Sequence, residues 1–160
     1  MIQINQSILD ALTIEAKESP RRRKNKNYHP ELSDTLQRLL NAMEPDTYVQ
    51  PHKHENPDKR EVFVILKGRA LVVEFDEQGN IADYVILNSA KGNYIVEIPA
   101  RTWHSVISLE SATVVYEVKD GPYKVLDDKN FAPWAPAEGD PECLKFNNQI
   151  LQRLGIENHR

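Results

Sequence analysis

The chain has 160 residues, 40% of them hydrophobic and 28% charged, with a formal net charge of -4 at pH 7. These values are typical of one soluble globular domain with a single hydrophobic core. The acidic balance excludes the general electrostatic attraction on which most nucleic-acid binding depends, so we expect no nucleic-acid partner.

Neither a signal peptide nor a membrane span is evident. The first residues lack a basic stretch followed by an apolar one, and no apolar run approaches the length of a membrane helix. Cys143 is the single cysteine, which excludes an internal disulfide and a cysteine-based metal cluster. We therefore expect a cytoplasmic protein without a membrane partner, in which any metal is bound by histidines and carboxylates.

The N-terminal part combines an amphipathic stretch with a basic one. Apolar residues fall close to helical spacing at Ile4, Ile8, Leu9, Leu12 and Ile14. They predict a helix from about residue 6 to residue 18, ending before Pro20. Residues 21–30, RRRKNKNYHP, are basic and lack apolar periodicity, which predicts an irregular connector.

The middle of the chain has the pattern of a β protein. Short runs rich in β-branched and aromatic residues, separated by turn residues, read TYVQPHKH, VFVIL, ALVVEF, ADYVIL, YIVEI and ATVVYEV. The earlier run LQRLLNAM fits a helix or a strand equally well. Gly79 and Asn80 predict a tight hairpin turn between ALVVEF and ADYVIL. Many short strands at regular spacing indicate a sandwich or a barrel.

The C-terminal part is rich in proline and then helical in pattern. The stretch DGPYKVLDDKNFAPWAPAEGDPE predicts a loop laid over the barrel or over a partner, with Trp134 as its anchor. Residues from about 141 to 154 predict a closing helix. We divide the single domain into an N-terminal helix and basic connector over residues 1–34, a barrel over 35–119, and a loop plus helix over 120–160.

Two histidines one residue apart are the strongest chemical signal. On a strand His52 and His54 would present both imidazoles to one face. Glu61 begins the next apolar run, Gly68 permits the reversal that follows it, and His104 begins a strand after a proline-started turn. Three imidazoles and one carboxylate suit a divalent transition metal, and these ligand types do not choose among Mn, Fe, Co, Ni, Cu and Zn.

These residues resemble the two motifs of the cupin superfamily. HKH with its downstream Glu61 and Gly68 is similar to the first motif, and Gly92, Pro99 and His104 are similar to the second. Arg101 stands where the second motif has a glycine. The resemblance implies a mainly β fold, a single-domain cupin jelly roll, with one mononuclear metal held by His52, His54, Glu61 and His104. It also implies a possible homodimer.

Longer phrases resemble one group of cupins. SPRRR, LQRLLNAMEPDTYVQPHKH, EIPARTWHSV, YEVKDGPY and FAPWAP are similar to the WbuC-type cupin metalloproteins, small bacterial proteins associated with O-antigen and other surface polysaccharides. The resemblance implies a metal and a role in polysaccharide biosynthesis. It implies no particular reaction, because the group has no settled one.

Further residues are candidates for acid/base or substrate-binding roles. Glu55 could replace Glu61 as the carboxylate ligand. The acid or base could be Glu55, Glu61 if it is not a ligand, or Tyr48. Contacts to an anionic substrate are expected from Arg21 and Arg23, and more weakly from two further residues, Arg101 and Tyr94. His29 is expected to be a polar surface residue, Trp103 to pack away from the site, and His159 to belong to the tail.

Two classes of function fit this site. One is a metal-dependent isomerase, epimerase or lyase that acts on a sugar or sugar phosphate, or, with iron, a dioxygenase. The other is a binding or regulatory module without turnover. An enzyme needs a titratable group in the cavity that does not coordinate the metal. Whichever of Glu55 and Glu61 is not a ligand is the clearest candidate for that group.

Overall fold

The computed structural model describes residues 1–123 and 130–158. The helices are α1, Gln6–Glu18, and α2, Cys143–Leu154, and Ser89–Lys91 form a single 3-10 turn. The strands are β1, Arg23–Asn27; β2, Leu36–Met43; β3, His52–Lys53; β4, Glu61–Lys67; β5, Ala70–Phe75; β6, Ile81–Leu87; β7, Ile95–Ile98; β8, Trp103–Ser108; β9, Thr113–Asp120; and β10, Asn130–Phe131. The predicted loop residues 124–129 and the tail residue His159 lie outside the described residues.

The strands form two antiparallel five-stranded sheets, as the mainly β prediction requires. The first has the order β1-β2-β9-β4-β7 and the second the order β10-β3-β8-β5-β6. The hairpin β5–β6 has Gly79 in its turn at a φ of 84°, as predicted. Gly68 ends β4 at a φ of 74°, where an added Cβ would lie 2.8 Å from the Cα of Thr113. Only glycine meets both conditions there without strain.

The helix α1 matches its prediction because local signals define it. Asn5 caps the first turn by accepting a hydrogen bond from the backbone N–H of Ile8, and the helix ends at Ser19 before Pro20. Its apolar face packs on the outer face of the first sheet. The buried residues of this contact are Leu9, Leu12, Ala16, Leu40, Ala42 and Val114.

The ambiguous run LQRLLNAM is strand β2, and both of its faces are covered. Leu40 and Ala42 pack against α1, whereas Met43 points into the barrel. A strand buried on both faces loses the alternation of apolar and polar residues that identifies a half-buried one. The sequence therefore could not distinguish it from a helix.

The prediction of an irregular connector over residues 21–30 is wrong for its central part. Residues Arg23–Asn27 form β1, which pairs antiparallel with β2 as the edge of the first sheet. The strand has no apolar alternation because one face lines a polar cavity and the other is exposed. The C-terminal loop likewise contributes a short edge strand, β10, which pairs with β3.

The outer face of the second sheet is covered by the C-terminal segment. The buried residues there are Leu71, Val73, Phe75, Trp103, Ile107, Leu109, Ala132, Ala135, Ile150 and Leu151. Trp134 lies over Gly79, whose added Cβ would be 2.7 Å from the indole ring. The predicted closing helix and the role of Trp134 as an anchor within the chain are therefore confirmed.

The barrel interior is apolar at one end and polar at the other. The apolar end contains Met43, Val49, Phe63, Ile65, Ala70, Val72, Leu87, Ile98, Val106 and Val115. Further along β4, β8 and β9, the positions with the same parity are Glu61, His104, Glu117 and Lys119, all of them buried. The polar end is where a site can form. Among the described residues, neither helix is long and apolar enough to cross a membrane.

Candidate metal centre

The polar end of the barrel brings together the four residues predicted to hold a metal. His52 in β3 lies directly opposite His104 in β8, His54 follows β3, and Glu61 begins β4 in the other sheet. One potential ligand atom from each lies within 4.8 Å of the others. None of the four residues is more than 3% exposed. The second sheet thus supplies the imidazoles and the first sheet supplies the carboxylate.

Backbone carbonyls orient two of the three imidazoles. Nδ1 of His52 lies 2.9 Å from the carbonyl oxygen of Gln50, and Nδ1 of His104 lies 2.8 Å from that of Thr102. A hydrogen bond from Nδ1–H to a carbonyl fixes the tautomer and directs Nε2 inward as the ligand atom. This is the outer-shell arrangement typical of metal-binding histidines.

Glu61 lies at the centre of the cluster. Its Oε2 is 2.9 Å from Nε2 of His104 and 3.3 Å from Nε2 of His54. Burial alone would raise the pKa of Glu61, but hydrogen bonds from His104, His54 and the side chain of Glu117 hold it well below its usual range. The carboxylate is therefore kept in the ionised form that a metal requires.

The donor set fits a divalent transition metal. Three imidazole nitrogens and one carboxylate oxygen are ligands that Mn, Fe, Co, Ni, Cu and Zn all accept. A set of four protein ligands leaves further positions open in a five- or six-coordinate ion. The cluster could therefore hold one metal ion, and its identity is not fixed by the ligand types.

Of the two candidate carboxylates, Glu61 is in the cluster and Glu55 is not. Glu55 Oε1 lies 3.3 Å from the ammonium of Lys53, whose Nζ also lies 4.5 Å from the ring centre of Trp103. Trp103 packs on the outer face of the second sheet. The structure thus places Glu55 beside Lys53 and Trp103, in neither the histidine cluster nor the cavity described next.

A cavity of about 610 Å³ adjoins the cluster. Its lining residues are Arg21, Arg23, Asn25, Asn27, His29, Leu32, Gln37, Leu39, Val49, Gln50, Glu117, Lys119, Tyr123, Phe131 and Glu138. Glu117 lines the cavity and hydrogen-bonds to Glu61. Phe131 lines it too, and its ring centre lies 6.3 Å from that of His52. The four cluster residues do not themselves line the cavity, and Glu117 and Phe131 lie between the cavity and the cluster.

The predicted arginines lie at this cavity and share one carboxylate. Glu138 Oε1 is 2.6 Å from Nε of Arg21 and 2.8 Å from Nη2 of Arg23. Burial would raise the pKa of Glu138, but the two guanidinium groups hold it below its ordinary value. Burial lowers the pKa of Arg23, and Glu138 opposes that shift.

The other predicted site residues do not line this cavity. The Tyr48 hydroxyl donates to the carbonyl of Pro136 at 2.8 Å, and burial raises its pKa, so this phenol is hard to ionise. Tyr94 is 55% exposed and does not line this cavity. Arg101 is ion-paired with Asp58 at 2.9 Å on the surface, and its φ of 67° shows why a glycine suits that position.

Other residues at the site were not predicted from the sequence. His29, expected at the surface, is buried and lines the cavity, and its Nδ1 lies 3.1 Å from the carbonyl oxygen of Arg38. Glu117 and Lys119 could have been found, because they continue the inward parity of Val115 along an apolar strand. Glu138 gives no such signal, since it is one of several acidic residues in a loop distant in sequence.

A family model matches residues 4–87, just over half of the 160-residue chain, and its description is a domain of unknown function, DUF6016. The chain belongs to the DUF6016 family. No curated protein matches this DUF6016 chain in sequence. The predicted resemblance to the WbuC-type proteins is finer than this finding and stays a prediction.

Solved structures show the fold of the DUF6016 chain. An L-ribose isomerase from Cellulomonas parahominis, solved with L-psicose, is 16% identical with a TM-score of 0.52, covering 71% of this chain and 70% of its own. KdgF from a Halomonas species is 16% identical with a TM-score of 0.51, covering 66% of this chain and 84% of its own. An oxalate decarboxylase from Bacillus subtilis is 17% identical with a TM-score of 0.53, covering 84% of this chain.

The chain spans 32% of that oxalate decarboxylase. At such low identity these likenesses establish the fold alone, and they confirm the cupin jelly roll predicted from the motifs. What the DUF6016 chain does must therefore be argued from its own site.

Proposed function

We propose that the protein is a metal-dependent enzyme that acts on a sugar or sugar-phosphate-like small molecule with an acidic group. One observation carries the proposal: a buried cluster of three histidines and a glutamate adjoins a cavity lined mostly by polar side chains. Cavities with a few convergent polar groups beside perturbed titratable residues are typical of active sites.

The residues of the cavity suit a polyhydroxylated anion. Asn25 and Asn27 offer amide donors and acceptors that can pair with hydroxyl groups, whereas the Nε2 of Gln37 already donates to the carbonyls of Leu32 and Asp34. Arg23 and Lys119 supply positive charge along the same cavity. A purely apolar ligand would take water away from these groups without forming hydrogen bonds to them, and it would therefore bind weakly.

The cluster and the cavity residues would have different roles in the reaction. His52, His54, Glu61 and His104 would hold the metal, which when bound supplies Lewis-acid polarisation of a carbonyl or of neighbouring hydroxyl groups. Glu117 orients Glu61 through their shared hydrogen bond and faces the substrate space. Arginine and amide side chains bind and orient the substrate. Isomerisation, epimerisation and elimination are the reactions that this arrangement favours.

Two likenesses support the choice of substrate. The L-ribose isomerase that shares the fold acts on a sugar. The sequence resemblance to WbuC-type proteins supports a place in surface polysaccharide metabolism. Both are arguments by analogy, and the cavity's own polar lining is the independent reason for a sugar-like ligand.

The experiment tests metal binding and turnover in sequence. Elemental analysis of protein purified without an affinity tag should give near one equivalent of a transition metal per chain, and His52→Ala with His104→Ala should give almost none. The loaded protein is then incubated in D2O with hexuronic acids and hexose phosphates. Deuterium incorporation into the substrate, or the NMR spectrum of a new product, would support the proposal that the protein is an enzyme.

Other results would redirect the interpretation. A saturable shift in melting temperature without exchange or product would favour a binding module. Oxygen consumption with an iron-loaded protein would favour a dioxygenase. Failure to retain any metal after reconstitution would overturn the proposal.

A further inference from the structure

We infer that Arg21 and Arg23 form an anion-binding subsite of the cavity, and that Glu138 occupies it as an internal carboxylate that the acidic group of the substrate displaces. The inference rests on the proposed function, because it names the part of the substrate that this end of the cavity receives. The ligand group is a carboxylate or a phosphate.

Glu138 binds the two arginines as a ligand carboxylate would. Its oxygens accept hydrogen bonds from Nε and Nη2 of Arg21 at 2.6 and 2.9 Å, and from Nη2 of Arg23 at 2.8 and 2.9 Å. The two nitrogens of Arg21 face the two carboxylate oxygens, which is the geometry by which guanidinium groups select carboxylates and phosphates.

Arg23 is fixed before any ligand arrives. Its Nη1 donates to the backbone carbonyl of Tyr48 at 2.6 Å and to the hydroxyl of Thr47 at 3.3 Å. The same Thr47 hydroxyl donates to the carbonyl of Arg21 at 2.7 Å, which links the two arginines. The Arg23 side chain is 10% exposed, so its charge is weakly screened. A guanidinium held on one edge presents its other edge ready for an anion.

The turn that precedes β1 explains why these two arginines act together. Arg21 and Arg23 are two residues apart and point to the cavity, whereas Arg22 lies between them with a φ of 56° and pairs with Asp46 at 2.9 Å. Of the three consecutive arginines, Arg22 therefore stabilises the turn, and Arg21 and Arg23 line the cavity.

Glu138 is held more loosely than Arg23. Its side chain is 37% exposed, and it lies in an exposed stretch between the buried residues Ala135 and Cys143. Gly139 follows it at a φ of 94° with no atom near an added Cβ, so the backbone there has conformational freedom. The only other described hydrogen bond is from its backbone N–H to Gln50 at 3.3 Å. The carboxylate can therefore leave while its flanking anchors stay in place.

The subsite lies in the same cavity as a residue that contacts the metal cluster. The same cavity that begins at Arg21 and Arg23 is lined by Glu117, which hydrogen-bonds to the ligand Glu61. A molecule with its acidic group on the arginines would extend its polar body along the cavity toward the cluster. The subsite would thus fix which end of the substrate reaches the metal.

The test measures anion affinity in metal-free full-length protein. D-glucuronate, D-glucose 6-phosphate and neutral D-glucose are titrated by calorimetry at low ionic strength into the wild type and into Glu138→Gln. If Glu138 fills the subsite about nine-tenths of the time, its removal should tighten anion binding about tenfold. Glucuronate against glucose 6-phosphate shows which acidic group is preferred, and glucose should not respond to the substitution.

Matched variants separate displacement from a merely structural latch. Asp58→Asn removes the carboxylate of a comparable arginine pair, that with Arg101, and should leave anion affinity unchanged. In the Glu138→Gln background, Arg23→Met and Arg21→Met should each weaken anion binding about tenfold or more. Arg21→Met is included because Arg21 is more exposed than Arg23, so its replacement disturbs the fold less. Melting curves check that each variant is folded.

A Glu138→Gln protein that binds both anions within about twofold of the wild type would overturn the inference. So would equal tightening of glucose. Because the protein is metal-free, these results are independent of metal content. Metal retention without anion binding would refute the subsite alone, whereas anion binding without metal retention would refute the proposed function alone.

Discussion

Replacing Glu61 by glutamine, with Glu55→Gln as the control, tests the ligand assignment. Glu61 is 2% exposed, and its Oε2 lies 2.9 Å from Nε2 of His104, so the substitution removes the single negative charge inside the cluster. Loss of an outer-shell partner typically weakens metal binding by about 10- to 100-fold. A direct anionic ligand should reach at least the upper end, about 100-fold or about 2.7 kcal/mol.

Glu55 provides the contrast because its carboxylate lies outside the cluster, 3.3 Å from Lys53 Nζ with its side chain 27% exposed. An ion pair of this kind contributes about 0 to 1 kcal/mol, so Glu55→Gln should change metal affinity by less than about fivefold. The assay is competition for Zn²⁺ with a chromophoric chelator, on both variants and the wild type. Equal effects of the two substitutions, or an unchanged affinity of Glu61→Gln, would refute the assignment.

Three further predictions concern stability. Gly68→Ala should lower the unfolding free energy, measured in urea, by about 2 to 4 kcal/mol, because the new Cβ would clash with Thr113. Gly92 has a similar positive φ but open space around it, so Gly92→Ala should lower the unfolding free energy by about 1 kcal/mol. Equal losses would show that the contact with Thr113 is harmless. Leu12→Ala should cost about 2 to 3 kcal/mol by undocking α1, with metal content unchanged; a loss of metal would contradict the separation of helix and site. The pKa of Glu138 is depressed below 4.5, so the stability it adds is present above pH 4.5 and is lost as the pH falls through the folded value. The difference in unfolding free energy between the wild type and Glu138→Gln should therefore shrink on acidification, and a constant difference down to about pH 3 would be inconsistent with this linkage.

The elements with local signals were predictable from the sequence. The cap at Asn5 and the spacing of Leu9 and Leu12 define α1, and the Gly79 turn defines the β5–β6 hairpin. The strand β1 was missed because its residues line a polar cavity on one face and meet solvent on the other. A polar strand at a sheet edge has no hydrophobic period to detect.

The site residues also differ in whether a local sequence signal identifies them. His52, His54, Glu61 and His104 could be named in advance because strand parity and turn residues place them in a known motif. Tyr48 and Tyr94 do not line the cavity, and neither lies in a regular strand, so their inward or outward direction could not be deduced from an alternating pattern. Glu138 could not be found, because its contact with the arginines joins residues 117 and 115 apart in the sequence.

The distribution of the cluster over both sheets has a kinetic consequence. Glu61 belongs to the first sheet, and His52 and His104 belong to the second. An ion held by them would cross-link, at the polar end, two layers that meet mainly through apolar packing at the deeper end. Because all of these side chains are buried, such an ion would leave only when the protein opens locally, either toward the adjoining cavity or between the layers at the polar end. Its residence time would then be set by the frequency of that opening, and a substrate that fills the cavity would block one of the two routes and slow the loss of the metal.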